Sequence, residues 1–224
     1  MKQDAAHQTE HVVRNFDVVL FDLLSALLDS WSLWNNVAGS EADGRRWRAE
    51  YLRITYRTGA YRPYEELVAE AARAAGLSPG LASVLDARYA ELQPWPEVKT
   101  VLTALASGGV RLGTVTNCSE RLGHIAAARV GVPFDVIVTA ERAGWYKPDP
   151  HPYQLAIEAL DASVSRCLFV AGSAFDLVGT ARVGLSTYWH NRVGMARPPE
   201  APAPLAHEPS LDGVLALVFP ERAP

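Results

Sequence analysis

Residues 18–30 read VVLFDLLSALLDS: four apolar residues, an acid at Asp22, and then a second apolar run. Residues 17–24 (DVVLFDLL) form a short, almost continuous apolar stretch bounded by polar residues, which predicts a strand buried on both faces of a parallel sheet. Residues 110–116 (VRLGTVT), 134–139 (FDVIVT) and 167–171 (CLFVA) share that character, and each is followed by helix-like sequence. Residues 186–189 (STYW) add an edge strand. Strands alternating with helices predict an α/β fold built on a doubly wound parallel sheet, in which ligands bind beyond the carboxyl ends of the strands. Asp22 stands at such an end. Burying its charge is costly unless it is paired, so it either caps the following turn or serves as a functional carboxylate.

Between the first strand and Val110 the pattern turns helical. Arg48, Tyr51, Leu52, Thr55 and Tyr56 recur at three-to-four spacing, Pro63 suits a first helical turn before residues 64–75, and Gly76 and Pro79-Gly80 punctuate the next helix. Pro94-Trp95-Pro96 ends the block before residues 98–106 resume the main domain. The expected organisation is a flexible polar leader over residues 1–15, an α/β core over 16–25 and 94–224, and an inserted helical cap over 26–93. The Pro-rich stretch 197–204 (RPPEAPAP) reads as a surface loop.

A chain of 224 residues with 49% hydrophobic residues can bury one good core and a small accessory domain. Its net charge of -4 gives no electrostatic footprint for nucleic acid or an anionic membrane. Cys118 and Cys167 are too few for a disulfide framework, and the first fifteen residues lack the apolar segment of a secretory signal. No stretch reaches the length of a membrane span. These features predict a soluble cytoplasmic protein.

Four motifs in order resemble the haloacid dehalogenase superfamily. Asp22-Leu23-Leu24-Ser25-Ala26-Leu27 matches the first, with Ser25 and Ala26 in place of the usual Gly and Thr. Gly113-Thr114-Val115-Thr116-Asn117 matches the second, Tyr146-Lys147-Pro148 the third, and the run from Phe169 to Asp176 the fourth. The resemblance implies a nucleophile at Asp22, a charge partner at Lys147, a substrate-binding hydroxyl at Thr116 and a second acid at Asp176. Lys147 also reads as a solvated amine and Asp176 as a helix cap, the latter compatible with catalysis.

Phosphatases of this superfamily bind Mg2+ through oxygen ligands that include the residue two after the nucleophile and an acid in the fourth motif. Here those positions hold Leu24 and Gly172. The frame is closer to the metal-free 2-haloacid dehalogenases, so no cofactor is implied. Trp47-Arg48 aligns with a pair whose arginine binds the departing halide, although Arg48 also reads as a surface cation. Asn117 matches a halide-side amide, Tyr153 follows Lys147 by six residues as the family's tyrosine does, and Phe175-Asp176 matches an aromatic-acid pair. Leu23, Leu24, Ser173 and Phe175 complete the implied substrate-binding set. Ala26 replaces a threonine that helps fix the nucleophile, Leu24 a pocket tyrosine, and Ala171 and Ser173 polar residues of the fourth motif.

The cap is rich in aromatic residues: Trp31, Trp34, Trp47, Tyr51, Tyr56, Tyr61 and Tyr64. Most serve cap-to-core packing; the rest suit a dry chamber or a cationic substrate. The implied reaction is displacement at the 2-carbon of a small carboxylic acid through an aspartyl ester, in a protein able to form a homodimer. Three alternatives remain open: ring opening of azetidine-2-carboxylate, Mg2+-dependent small-molecule phosphatase chemistry, and a non-catalytic scaffold binding a small acid or a partner.

Overall fold

The computed structural model describes residues 13–220. Residues 1–12 of the expected leader therefore lie outside the described residues. The chain opens with strand β1 (Val18–Phe21), fully buried, and Asp22 continues its pairing by donating its N–H to the Val170 carbonyl at 2.9 Å. Asp22 itself is extended, at φ -62° and ψ 132°, and caps a π-helical turn over Leu23–Leu27.

Four helices follow: α1 (Ser30–Ala38), α2 (Glu41–Thr58), α3 (Tyr64–Ala74) and α4 (Leu81–Ala87). Local chemistry sets their limits. Asp29 caps α1 by accepting from the Ser32 N–H, Ser40 caps α2 by accepting from the Asp43 N–H, and Gly39 ends α1 at φ 87°, a left-handed conformation that glycine adopts freely. The helices pack through a chain of rings, with Trp34 against Trp47 at 4.6 Å, Trp34 against Tyr51 at 5.3 Å and Tyr51 against Tyr64 at 5.6 Å. The sequence predicts packing of these rings between cap and core; these three contacts instead join the helices of the segment to one another.

The helical segment leaves and rejoins the sheet at neighbouring points, where Leu28 forms an antiparallel bridge with Pro94. A second bridge, Ala60 to Trp145, ties the loop after α2 to the segment before Lys147. A 3-10 turn (Tyr89–Glu91) precedes α5 (Val98–Ser107), β2 (Arg111–Thr116), α6 (Glu120–Val130), β3 (Val136–Thr139), α7 (Ala140–Ala143) and α8 (Pro150–Ala159). After β4 (Cys167–Ala171) come α9 (Asp176–Arg182), β5 (Ser186–His190), β6 (Ala206–Glu208) and α10 (Gly213–Val218).

All six strands are parallel, in the order β3-β2-β1-β4-β5-β6. Alternate side chains sort onto two faces, as the period of two requires. Val19, Phe21, Leu168 and Val170 join one core with α5, α6 and α10, whereas Val18, Leu20, Cys167 and Phe169 join another with α8 and α9. The expected doubly wound α/β sheet is present, with one correction. Residues 186–190 are not the edge, because β6 pairs outside them. Its three residues, Ala-His-Glu, are too short and too polar to announce a strand.

The chain turns one way from β1 and the other way from β4, so a crevice opens between their carboxyl ends. There the loop after β4 passes so close to the turn after β1 that a Cβ on Gly172 would stand 2.2 Å from the Ala26 nitrogen and 2.6 Å from Ser25 Oγ. Gly172→Ala must displace backbone in response, so it is expected to lower unfolding free energy by about 1–3 kcal/mol. Urea denaturation checks this, and wild-type stability in the variant would show that the loops have slack.

Candidate active site

Asp22, Lys147 and Asp176 meet at the crevice. Each is at most 6% exposed, and Lys147 Nζ lies 2.9 Å from both Asp22 Oδ1 and Asp176 Oδ1. The topology places them: Asp22 ends β1, Asp176 opens α9 beyond β4, and Lys147 lies on the loop between α7 and α8. Asn117, just after β2, fixes that loop. Its Oδ1 accepts from the Lys147 N–H at 2.8 Å and its Nδ2 donates to the Lys147 carbonyl at 3.0 Å.

The two oxygens of Asp22 differ. Oδ2 accepts from Ser25 N at 3.0 Å, Ser25 Oγ at 2.5 Å and Ala26 N at 3.3 Å, whereas Oδ1 faces Lys147. Burial pushes the Asp22 pKa up, but the charge of Lys147, the donors from Ser25 and Lys147 and the charge of Arg48 outweigh it, leaving the carboxyl below its ordinary range. Asp176 goes the other way. Burial and the neighbouring Asp22 charge raise it against the opposing pull of Lys147 and Tyr153, and its Oδ2 has no hydrogen-bond partner among the described residues. For Lys147, burial favours the neutral amine, but the two carboxylates prevail and raise its pKa.

These groups border a small cavity of about 40 Å3, also lined by Leu24, Arg48, Asn117, Tyr56, Ser173 and Phe175. That space suits a ligand of a few non-hydrogen atoms. Arg48 is only 3% exposed and lies between rings, its Cζ 4.7 Å from the centre of Trp31 and 5.2 Å from that of Trp34. Its Nε and Nη1 lack hydrogen-bond partners among the described residues. The cation that these tryptophans hold is therefore the protein's own arginine.

Of the residues expected at the site from sequence, Asp22, Leu24, Arg48, Asn117, Lys147, Ser173, Phe175 and Asp176 line the cavity. Leu23, Thr116 and Tyr153 stand behind its wall. Leu23 is wholly buried in the π-helical turn, and Thr116 Oγ1 accepts from Cys118 Sγ at 3.7 Å. Tyr153 points from α8 beneath Asp176 and donates to its Oδ1 at 2.9 Å, so it holds a carboxylate of the cavity wall from behind. Ser25, Tyr51, Leu52, Thr55 and Pro148 also line the cavity. The helical spacing of Tyr51, Leu52 and Thr55 beside Arg48 is a signal that could have found three of them; Ser25 had counted only as a departure from a motif.

The residues present do not fit a Mg2+ site. The Leu24 side chain offers no oxygen, Gly172 has no room for a carboxylate, and Lys147 Nζ already sits between the two acids where a cation would bridge them. The described residues contain no group of three or more His, Cys, Asp or Glu suited to a metal.

The family profile described as haloacid dehalogenase-like hydrolase matches residues 16–184. Haloacetate dehalogenase H-2 of Moraxella sp. (strain B) is 28% identical over 92% of this chain and 99% of its own length. (S)-2-haloacid dehalogenase 4A of Burkholderia cepacia is 29% identical over 88% of this chain and 92% of its own. A dehalogenase crystal structure with an intermediate complex superposes with a TM-score of 0.79 at 27% identity, covering 92% of this chain and 99% of that one.

The opposed pKa shifts can be probed through Tyr153. Its hydroxyl favours the ionised form of Asp176, so Tyr153→Phe should move the Asp176 titration to still higher pH. Carbon NMR of protein labelled at the aspartate carboxyl carbons reads this shift; a titration unmoved or moved downward contradicts the assigned hydrogen bond.

Proposed function

The chain belongs to the haloacid dehalogenase-like hydrolases, and on that premise we propose that it hydrolyses a small 2-haloacid through an ester on Asp22, with no metal ion. One observation carries the reading: a buried guanidinium short of hydrogen-bond partners shares a small cavity with a lysine-paired carboxylate. Such a guanidinium calls for an anion, and a carboxylate held ionised in a dry site is an effective nucleophile. A cytoplasmic setting, consistent with the two free buried cysteines, belongs to the same reading, as does a cap role for α1 to α4.

In the first step Asp22 attacks the 2-carbon with inversion and the halide leaves toward Arg48. Asn117, which also lines the cavity, is assigned to that side, while Ser173 and the backbone of the turn after β1 are assigned to the substrate carboxylate. Lys147 keeps the attacking carboxylate in line. Water then attacks the ester carbonyl. Asp176 takes the proton through Oδ2, the atom without a partner, and its raised pKa suits it to that task.

The other chemistries fit less well. Leu24 cannot protonate a leaving alkoxide as a phosphatase acid does. Arg48 at the leaving-group end disfavours a departing ammonium, which argues against azetidine ring opening. A non-catalytic scaffold leaves the paired carboxylates and their opposed shifts without a use.

The decisive test follows the oxygen. With 2-chloropropionate, enzyme in excess and 18O water, the first turnover should label the peptide containing Asp22 and leave the hydroxyacid product light, because water adds to the ester carbonyl. Heavy product with light Asp22 would reduce Asp22 to a general base. Halide release is expected to survive EDTA. Arg48→Ala should cut kcat/KM by roughly 10- to 100-fold while shifting the thermal midpoint little; equal loss of activity and stability would return Arg48 to a packing role.

A further inference from the structure

Asp22 Oδ2 is crowded while Oδ1 is not, and this decides which oxygen does what. Three donors converge on Oδ2: two backbone N–H groups and the Ser25 hydroxyl, at 2.5 Å the shortest of them. Oδ1 faces the single donor Lys147 Nζ and keeps electron density free for attack. We propose that Ser25 is a catalytic residue of ester hydrolysis, its hydroxyl completing an oxyanion site around Asp22 Oδ2. The inference rests on the function proposed above and adds a role that the sequence frame did not suggest. Ala26 removes one hydroxyl from the turn, and Ser25 supplies another one residue earlier.

The chemistry follows from the two oxygens. Oδ1 bonds to the 2-carbon as the carbon–halogen bond breaks and halide leaves with the electron pair. The ester then has Oδ1 as its bridging oxygen and Oδ2 as its carbonyl oxygen. Water adds to the carboxyl carbon, giving a proton to Asp176, and the carbonyl π electrons move onto Oδ2. When the intermediate collapses, the bond from the carboxyl carbon to Oδ1 breaks, and the hydroxyacid leaves carrying Oδ1. Lys147 Nζ, 2.9 Å from that oxygen in the resting site, gives the departing alkoxide its proton. The lysine recovers a proton from the regenerated carboxylic acid, and Asp176 releases its own to solvent. The net change is haloacid plus water to hydroxyacid, halide and a proton.

The two half-reactions use the Oδ2 donors differently. Before displacement the donors stabilise the resting carboxylate, and charge leaves Asp22 as the ester forms, so they give the first barrier no help. During hydrolysis full charge returns to Oδ2, and the donors stabilise the transition state. The hydroxyl is held for this purpose. The Ser25 carbonyl accepts from Trp95 Nε1 at 3.1 Å, and Gly172 brings the next strand's loop up against Ser25 Oγ.

The test uses the full-length protein, Ser25→Ala and 2-chloropropionate under rapid quench, with mass spectrometry of the peptide containing Asp22. The variant should release about one halide per site at the wild-type rate, then turn over about 100-fold more slowly, with the propionate ester accumulated on Asp22. Turnover within twofold of wild type, or a halide burst slowed as much as turnover with no ester, overturns the role of Ser25 and leaves the dehalogenase reading standing. Wild-type protein that releases no halide from 2-haloacids removes that reading and this inference together. Should Ser25→Ala fail to fold, Ser25→Cys preserves the volume with a much weaker donor and must show the same ester accumulation.

Discussion

The Lys147 ammonium, held 2.9 Å from each of two buried carboxylates, is the interaction on which the rest of the site depends. Removing two carboxylates from water costs several kcal/mol apiece, and a shared ammonium offsets this only with good geometry and further hydrogen bonds. The further bonds are unequal. Asp22 receives three donors from its own turn, whereas Asp176 receives one from Tyr153 and has an oxygen with no partner among the described residues. One ammonium therefore serves two acids pushed in opposite directions, the separation that the proposed division into nucleophile and base calls for. The linkage has the matching sign. Asp22 favours the folded state above the ordinary carboxylate range, an advantage lost as pH falls through its depressed pKa, while the raised Asp176 has the opposite sign and disfavours folding as pH climbs above the ordinary carboxylate range.

Holding Asp22 in register with Lys147 requires a rigid turn, and the carbonyls of that turn are bound from outside it. Ser30 Oγ donates to Leu24, Trp95 Nε1 to Ser25, His190 Nδ1 to Ala26 and the Trp95 N–H to Leu27. These donors come from α1, from the return of the insertion and from the end of β5, so three separate parts of the chain fix one carboxylate. His190 is wholly buried, and burial, ahead of the opposing hydrogen bond to Ala26, pushes its pKa down. Donation to the Ala26 carbonyl places a ring proton on Nδ1.

This arrangement explains which parts of the molecule were legible in the sequence. The apolar run before Asp22 and its three counterparts carried the parallel sheet, because strands buried on both faces have no polar alternation to hide them. Lys147, Asp176 and Arg48 were legible through motif spacing. Ser25 was not, because a motif frame registers a replaced residue as a loss and cannot show a hydroxyl moving to the neighbouring position. His190 and Trp95 act across long sequence separations through single hydrogen bonds, which leave no local pattern. Tyr153 had the right spacing but the wrong destination: α8 packs under the sheet, and its tyrosine reaches the carboxylate from behind.

Water exclusion completes the argument, because Asp22 and Arg48 interact strongly with substrate only in a dry site. The Leu28–Pro94 bridge holds together the two ends of the helical segment between β1 and α5, and that segment is tied to the loops beyond the sheet by the Ala60–Trp145 bridge, by the Tyr51 hydroxyl on the Asn117 carbonyl at 2.6 Å and by the Tyr146 hydroxyl on the Arg62 carbonyl at 2.7 Å. Lifting these helices breaks the last three contacts together. At the rim, by contrast, Tyr56 meets Phe175 at 4.7 Å with the ring planes tilted by 48°, and its hydroxyl reaches Glu200 of the Pro-rich loop at 3.3 Å, an exposed contact that contributes little. Rotating Tyr56 costs far less than moving four helices. Turning this ring pair aside would leave Lys147, Asp22 and the turn that holds them undisturbed.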